Sequence, residues 1–248
     1  MTQQTFESKL RQAIAEAAIA LNRSGLRFAV FKNARCNEDY WTLSSNGGWR
    51  LSADNGQLTV DSASAIRDIY ANGHLYATEC ATAMLIVYYK AILETYGDDL
   101  FNKTFKSIYL MDWDIRDPLL KSVGTMQDLR GASLTVGDRA YFANPDHAPE
   151  LPQWQGENVI VLGDGRYYGH GIGIARAEQI LASLNAKRKD GNPRDAYLMD
   201  KAARPDWKKL ADVLEKSERG QPVAVWREFA PALLTPRRES RPEHISYV

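Results

Sequence analysis

The sequence predicts an α+β domain in which a central helix bearing Cys80 packs on an antiparallel sheet. Three observations lead there. Residues 80–97 run through Cys80, Met84, Leu85, Val87, Tyr88 and Ile92 with only Lys90 and Glu94 as charged interruptions. A helix apolar nearly all round belongs at the centre of a fold. Ahead of it, residues 5–24 repeat apolar side chains mostly every three or four positions, and behind it short apolar runs are split by Gly-Asp and Asp-Gly pairs of hairpin type.

In chain order, Phe6, Leu10, Ile14, Ala17, Ala18 and Leu21 describe an amphipathic helix ending at Gly25. Residues 26–31, 40–43, 49–51 and 57–60 are short runs separated by Asn, Gly, Ser and Asp, which reads as an antiparallel meander. A Ser/Asp start and Gly73 bracket a short helix over 62–71. Thr78 is placed to cap the central helix and Gly97 to end it. Residues 107–113 read as a buried strand, and two hairpins are expected, one turning at Gly137-Asp138 and one at Asp164-Gly165. Residues 175–189 carry helical periodicity. Beyond about residue 210, Pro222, Pro231, Pro236 and Pro242 stand beside Arg237, Arg238 and Arg241. Residues 211–248 are therefore expected to be a wrapping or mobile extension of a domain spanning 1–210.

Composition excludes several classes. Of 248 residues, 44% are hydrophobic and 25% charged, which is ordinary for a globular chain and rules against disorder, collagen and coiled coil. Lys and Arg number 31, as do Asp and Glu, so no basic field recruits nucleic acid or anionic lipid. The opening MTQQTFESKLRQ lacks a secretory layout and no window reaches eighteen uninterrupted apolar residues, so cytoplasmic synthesis and no membrane partner are expected. Two cysteines, Cys36 and Cys80, make no disulfide framework, and CxxC and HxxxH metal spacings are missing. The Asp112, Asp114, Asp117 group reads as a solvated loop, and Gly169, Gly171 and Gly173 fail the dinucleotide spacing because Ile174 follows.

Cys80 falls at the N-terminus of the central helix, where unpaired N–H groups and the macrodipole favour a negative sulfur and lower its pKa. Cys36, in a polar loop, reads as an inert thiol. In the second hairpin a two-residue turn pairs Gly163 with Arg166, so Val159 faces His170, and Glu157 and His170 become diagonal neighbours on one face. A longer turn would separate them. A helix offering Cys80 against a hairpin offering Glu157 and His170 supplies a nucleophile with an acid/base group, as thiol acyl transfer requires. Glu79 reads either as a first-turn charge or as a second proton acceptor. The order of Cys, helix and His-bearing sheet resembles papain-like, NlpC/P60-like cores.

A closer resemblance rests on AIRDIYANG, YATECATA, DLFNKTF, MDW, GDRAYFANP, WQGENVIVLG, HGIGI and AYL, in this order and spacing over residues 14–210. These strings resemble the small calcium-independent bacterial transglutaminases of Bacillus spore coats. The resemblance implies Cys80 as nucleophile, Glu157 as its acid/base partner, Glu79 as a partial substitute, and His170 as the histidine once assigned to the triad. It further implies that Phe28, Trp113 and Trp154 line a catalytic tunnel. No metal or organic cofactor is implied; the partners are proteins supplying glutamine and lysine side chains. Location in a spore coat follows if the host sporulates. Gln155 stands where that family usually has Arg. The competing expectations are a thiol deamidase or amidase of the same fold, acting as an effector, and a noncatalytic structural protein. Oligomeric state is not readable.

Overall fold

The computed structural model describes residues 2–54, 57–191 and 193–223. Helix α1 (Gln3–Arg23) is capped by the Thr2 hydroxyl and buries Phe6, Leu10, Ile14 and Leu21, the stripe its periodicity marks. Strand β1 (Arg27–Phe28) follows. Strands β2 (Trp41–Leu43) and β3 (Trp49–Leu51) pair antiparallel, as do the two-residue strands β4 (Ala53–Asp54) and β5 (Gln57–Leu58). Helix α2 (Ser62–Ala71) starts at Asp61, whose carboxylate accepts from the Ser64 N–H.

The first segment of the expected meander goes elsewhere. Strand β1 pairs in parallel with β6 (Ala77–Thr78), the strand just before Cys80. Backbone donors in a partly exposed two-residue stretch take the nearest free edge, and here that edge is supplied by a segment fifty residues away.

Helix α3 (Cys80–Tyr96) is buried along almost its whole length, as its all-round apolarity demands. It packs between α1, α2, α4 (Asp98–Thr104) and the main sheet. Burying each large apolar side chain here contributes about 1.5–3 kcal/mol, so α3 is the thermodynamic centre of the molecule. Residues 107–113 give only the short strand β7 (Tyr109–Leu110), which joins β3 at the edge of a three-stranded sheet. Just beyond it Asp112 takes a left-handed φ of 46° and its N–H donates to Thr82 Oγ1 at 2.9 Å, tying the following Trp113 to the first turn of α3.

After β8 (Gln127–Asp128) comes β9 (Arg139–Ala143). The turn falls one residue earlier than expected, at Val136-Gly137, where the Asp138 N–H donates to Thr135 O, and residues 129–138 form no strand, so the expected hairpin does not form. Instead β9 pairs with β10 (Gly156–Gly163) and with β13 (Tyr197–Leu198). The second hairpin does form: Asp164 and Gly165, both at positive φ, make the two-residue turn between β10 and β11 (Arg166–Gly169), and β12 (Gly173–Arg176) completes a five-stranded antiparallel sheet of order β12-β11-β10-β9-β13.

Strand β10 is covered on both faces. Ile160 and Leu162 join the core of α1 and α3, whereas Val159 and Val161 meet Ile180 and Leu184 of α5 (Ala177–Asn185). That two-sided burial is why its sequence reads as a continuous apolar run. Strand β14 (Lys201–Ala202) pairs with β8, and α6 (Trp207–Glu218) buries Leu210 and Val213 while packing on α1. This helix runs across residue 210. The tail prolines and arginines from Pro231 onward lie outside the described residues. Among the described residues, no helix is long and apolar enough to cross a membrane.

Candidate active site

Cys80 is the first residue of α3, but its cap is Glu79 and not Thr78. The Glu79 carboxylate accepts from the N–H groups of Ala81 and Thr82, at 2.5 and 2.8 Å. Thr78 stands one residue before the cap position, since the helix begins at Cys80. The consequence for charge is a correction: two of the N–H groups at the helix start are already taken by a carboxylate, and the positive end of the helix dipole is neutralised beside the sulfur. Burial first, then the charges of Glu157 and Glu79, push the Cys80 thiol up, while hydrogen bonds from Asn158 act the other way. That direction is contrary to the expectation from helix position alone.

Strand β10 brings Glu157 and Asn158 to the start of α3. The Asn158 side chain donates to Cys80 Sγ at 3.5 Å. Glu157 is buried, and its Oε1 has no hydrogen-bond partner. Burial, and secondarily the charge of Glu79, hold its carboxyl well above the ordinary carboxylate range. Its carboxyl lies over Gly169, where an added Cβ would meet Oε1 at 2.7 Å and Cγ at 2.9 Å. Only the missing side chain of Gly169 leaves that space.

His170 does not take the register expected of it. The turn pairs Gly163 with Arg166 as expected, but a bulge between Val161 and Gly163 shifts the rest by one, so Val159 faces Gly169. A one-residue slip exchanges faces, and His170 leaves the face of Glu157 for the turn before β12. There its Nε2 lies 3.2 Å from the carbonyls of both Arg27 and Thr78, and its Nδ1 lies 3.3 Å from the Tyr168 hydroxyl. Carbonyls only accept, so Nε2 carries the proton and Nδ1 accepts from Tyr168. Burial lowers its pKa, partly offset by the two carbonyls. The ring bridges β1 and β6.

The three aromatic positions have different neighbours. Phe28, 40% exposed, packs its ring 6.0 Å from that of His170 and lines a cleft of about 400 Å³ with Tyr168, Gly169 and His170. Trp113 lies under the guanidinium of Arg139, 4.2 Å from the ring centre. Trp154 sits in the short turn before β10, with Lys187 over its ring. Sequence reasoning missed Asn158, Arg139 and Gly169. The strings GEN, GDR and YYG contain them, but alternation along β10 and β9 does not say which of two faces meets the helix.

Cys36, half-buried, is likewise pushed up, to about 11, by burial and by Glu38, and has no acid/base neighbour of the Glu157 kind. Among the described residues no group of three or more His, Cys, Asp or Glu side chains is arranged to hold a metal.

The family model for protein-glutamine gamma-glutamyltransferase matches residues 1–214. Protein-glutamine gamma-glutamyltransferases of Bacillus pumilus and Bacillus subtilis are 41% and 42% identical over 201 and 202 residues, covering 81% of this chain and 77% and 78% of their own. A solved transglutaminase from Geobacillus stearothermophilus, without its C-terminal extension, superposes with a TM-score of 0.76 at 42% identity, covering 85% of this chain and 96% of that one. A thiol at a helix start, a buried carboxyl beside it and a match spanning the whole of both elements have one common explanation: this chain belongs to the protein-glutamine gamma-glutamyltransferase family.

Proposed function

We propose that this transglutaminase uses Cys80 as nucleophile and Glu157 as the single proton carrier. The observation that supports it is the buried, unpartnered Oε1 of Glu157 acting electrostatically on the Cys80 thiol. The pair releases one proton more easily than two, because the second charge must form beside the first. Carboxyl and thiol are both pushed up, by burial and by the neighbouring carboxylates.

The reaction then balances. Cys80 Sγ attacks the carboxamide carbon of a protein glutamine while the Sγ proton passes to Glu157. The C–N bond breaks as Glu157 returns that proton to nitrogen, and ammonia leaves a thioester. A neutral lysine amine attacks the thioester; Glu157 takes its proton and restores it to the departing sulfur, completing the isopeptide. Water in place of the amine gives glutamate, so an apolar approach past Phe28 and Trp154 favours transfer over hydrolysis. In this reading Glu79 caps α3, His170 positions the strand before Cys80, and the core is papain-like. The reaction is expected to proceed unchanged in the presence of a calcium chelator. In a sporulating host the substrates are coat proteins, a reading motivated by the Bacillus relatives.

The test is a glutamine peptide incubated with and without a primary amine, following ammonia and adduct. Adduct that vanishes in Cys80→Ala is the expected result. Ammonia without adduct would turn the reading to deamidation, and transfer surviving in Cys80→Ala would remove Cys80 from the mechanism.

A further inference from the structure

Arg139 begins β9 and is 3% exposed. Its Nε donates to the carbonyl of Val123 at 2.8 Å, its Nη1 donates to Asn158 Oδ1 at 2.6 Å, and its plane rests on Trp113. A guanidinium carries donors only, so the atom it meets at that distance is the amide oxygen. The amide nitrogen is thereby turned to the other side, where it donates to Cys80 Sγ at 3.5 Å. Trp113, Arg139, Asn158 and Cys80 form a continuous chain from a left-handed turn to the sulfur.

The geometry points to Asn158 as a catalytic residue and Arg139 as its positioning residue: the Asn158 amide donates to Cys80 Sγ as negative charge gathers there, and Arg139 fixes which end of the amide faces it. This rests on the reading of Cys80 as nucleophile and goes beyond the Cys80–Glu157 pair. The physical need is specific. Two carboxylates flank the sulfur, the helix start is occupied by Glu79, and Asn158 supplies the opposing hydrogen bonds. A hydrogen bond to the charged form favours that form, and a bond to a charged group is stronger than one to a neutral group.

Relaying the cation through an amide also suits the chemistry better than direct contact. A guanidinium against the sulfur would hold the thiolate as an ion pair and reduce its nucleophilicity, which falls as thiol pKa falls. It would also compete for the Glu157 carboxylate, which must stay available for protons. With the amide between, the sulfur meets a neutral donor whose orientation is set by a buried charge one residue further away.

The experiment measures Cys80 alkylation by iodoacetamide across neutral to alkaline pH, located by mass spectrometry, alongside steady-state transfer kinetics and Tm. Asn158→Leu, of similar size and without a donor, is expected to move the alkylation midpoint up by about one pH unit and to lower kcat roughly tenfold with KM little changed. Arg139→Met is expected to reproduce that shift, and Arg139→Lys, which keeps a donor for Asn158 Oδ1, to restore most of it. The double variant Asn158→Leu/Arg139→Met is expected to be no slower than Asn158→Leu, because Arg139 acts only through the amide. An unshifted alkylation profile in folded Asn158→Leu, or additive losses in the double variant, overturns the inference. Where Arg139→Met does not fold, the Asn158→Leu profile decides by itself. Transfer retained by Cys80→Ala sinks the underlying nucleophile assignment instead, so the two failures are told apart.

Discussion

The Oε1 atom of Glu157 is buried beside Gly169 without a hydrogen-bond partner, an arrangement that costs stability and is kept where a proton must be moved. Its carboxyl titrates above the usual carboxylate range. As pH rises the carboxyl ionises and becomes a proton acceptor, so kcat/KM is expected to climb on a limb placed above that range. Glu157→Gln should remove the limb and lower kcat/KM roughly a hundredfold or more. The linkage runs the opposite way for stability: a raised carboxyl pKa favours the fold at low pH, and the contribution is lost as pH rises from the unfolded value toward the folded one. Glu157→Gln should therefore be no less stable than the wild type at neutral pH. Gly169→Ala, which puts a Cβ against the same carboxyl, is expected to reproduce the kinetic loss. Full activity in Gly169→Ala, with Glu157 undisplaced, would contradict this account. Of these residues, Cys80 and Glu157 were legible in the strings that carry them, but Gly169 was not, because a close approach exists only once two strands are in register.

Among the elements, α3 was the most readable, because a segment apolar on every side has one stable location. Its cap was read one residue early, since Glu79 and not Thr78 directly precedes the first helical residue. A capping carboxylate also raises the thiol it adjoins. Glu79→Ser retains a capping oxygen and should leave Tm nearly unchanged, whereas Glu79→Ala should cost about 1 kcal/mol. In both variants Cys80 alkylation should shift to lower pH, because one of the two carboxylates beside the sulfur is gone. An unmoved profile would show that Glu79 does not act on the thiol. The β10–β11 hairpin carries the other lesson: its turn was legible in Asp164-Gly165, but the bulge near Leu162 was not, and it took His170 off the face assigned to it.

At the scale of the molecule, Asp138 joins three distant segments. Its fully buried carboxylate accepts from Arg11 of α1 and Arg204 before α6, and from the backbone and hydroxyl of Thr135. Burial works against that charge, and the bonds from Arg204, Arg11 and Thr135 outweigh it, holding the carboxyl below its ordinary value. A depressed carboxyl contributes stability above its unfolded pKa and loses it as pH falls through the folded one. Asp138→Asn should cost about 3 kcal/mol at neutral pH, roughly 6–12 °C in Tm, and should flatten the loss of stability below about pH 4. Calorimetry across acid pH checks both; an unchanged acid limb would exclude Asp138 as its source. The sequence suggested a hairpin at this position, and the partners that make it a clamp lie 127 and 66 residues away.

What the sequence by itself determined is whatever rests on local periodicity and on unusual strings: the central helix with Cys80 at its start, an antiparallel sheet after it, and the family. Tertiary structure alone decided which residues of β10 meet the sulfur, that His170 meets the carbonyls of Arg27 and Thr78, and that Arg139 meets the amide oxygen of Asn158. The reason is physical. Helix burial follows from side chains a few residues apart, whereas strand partners, bulges and the orientation of a buried amide are set by groups distant in the chain, and a shift of one residue reverses every side chain involved.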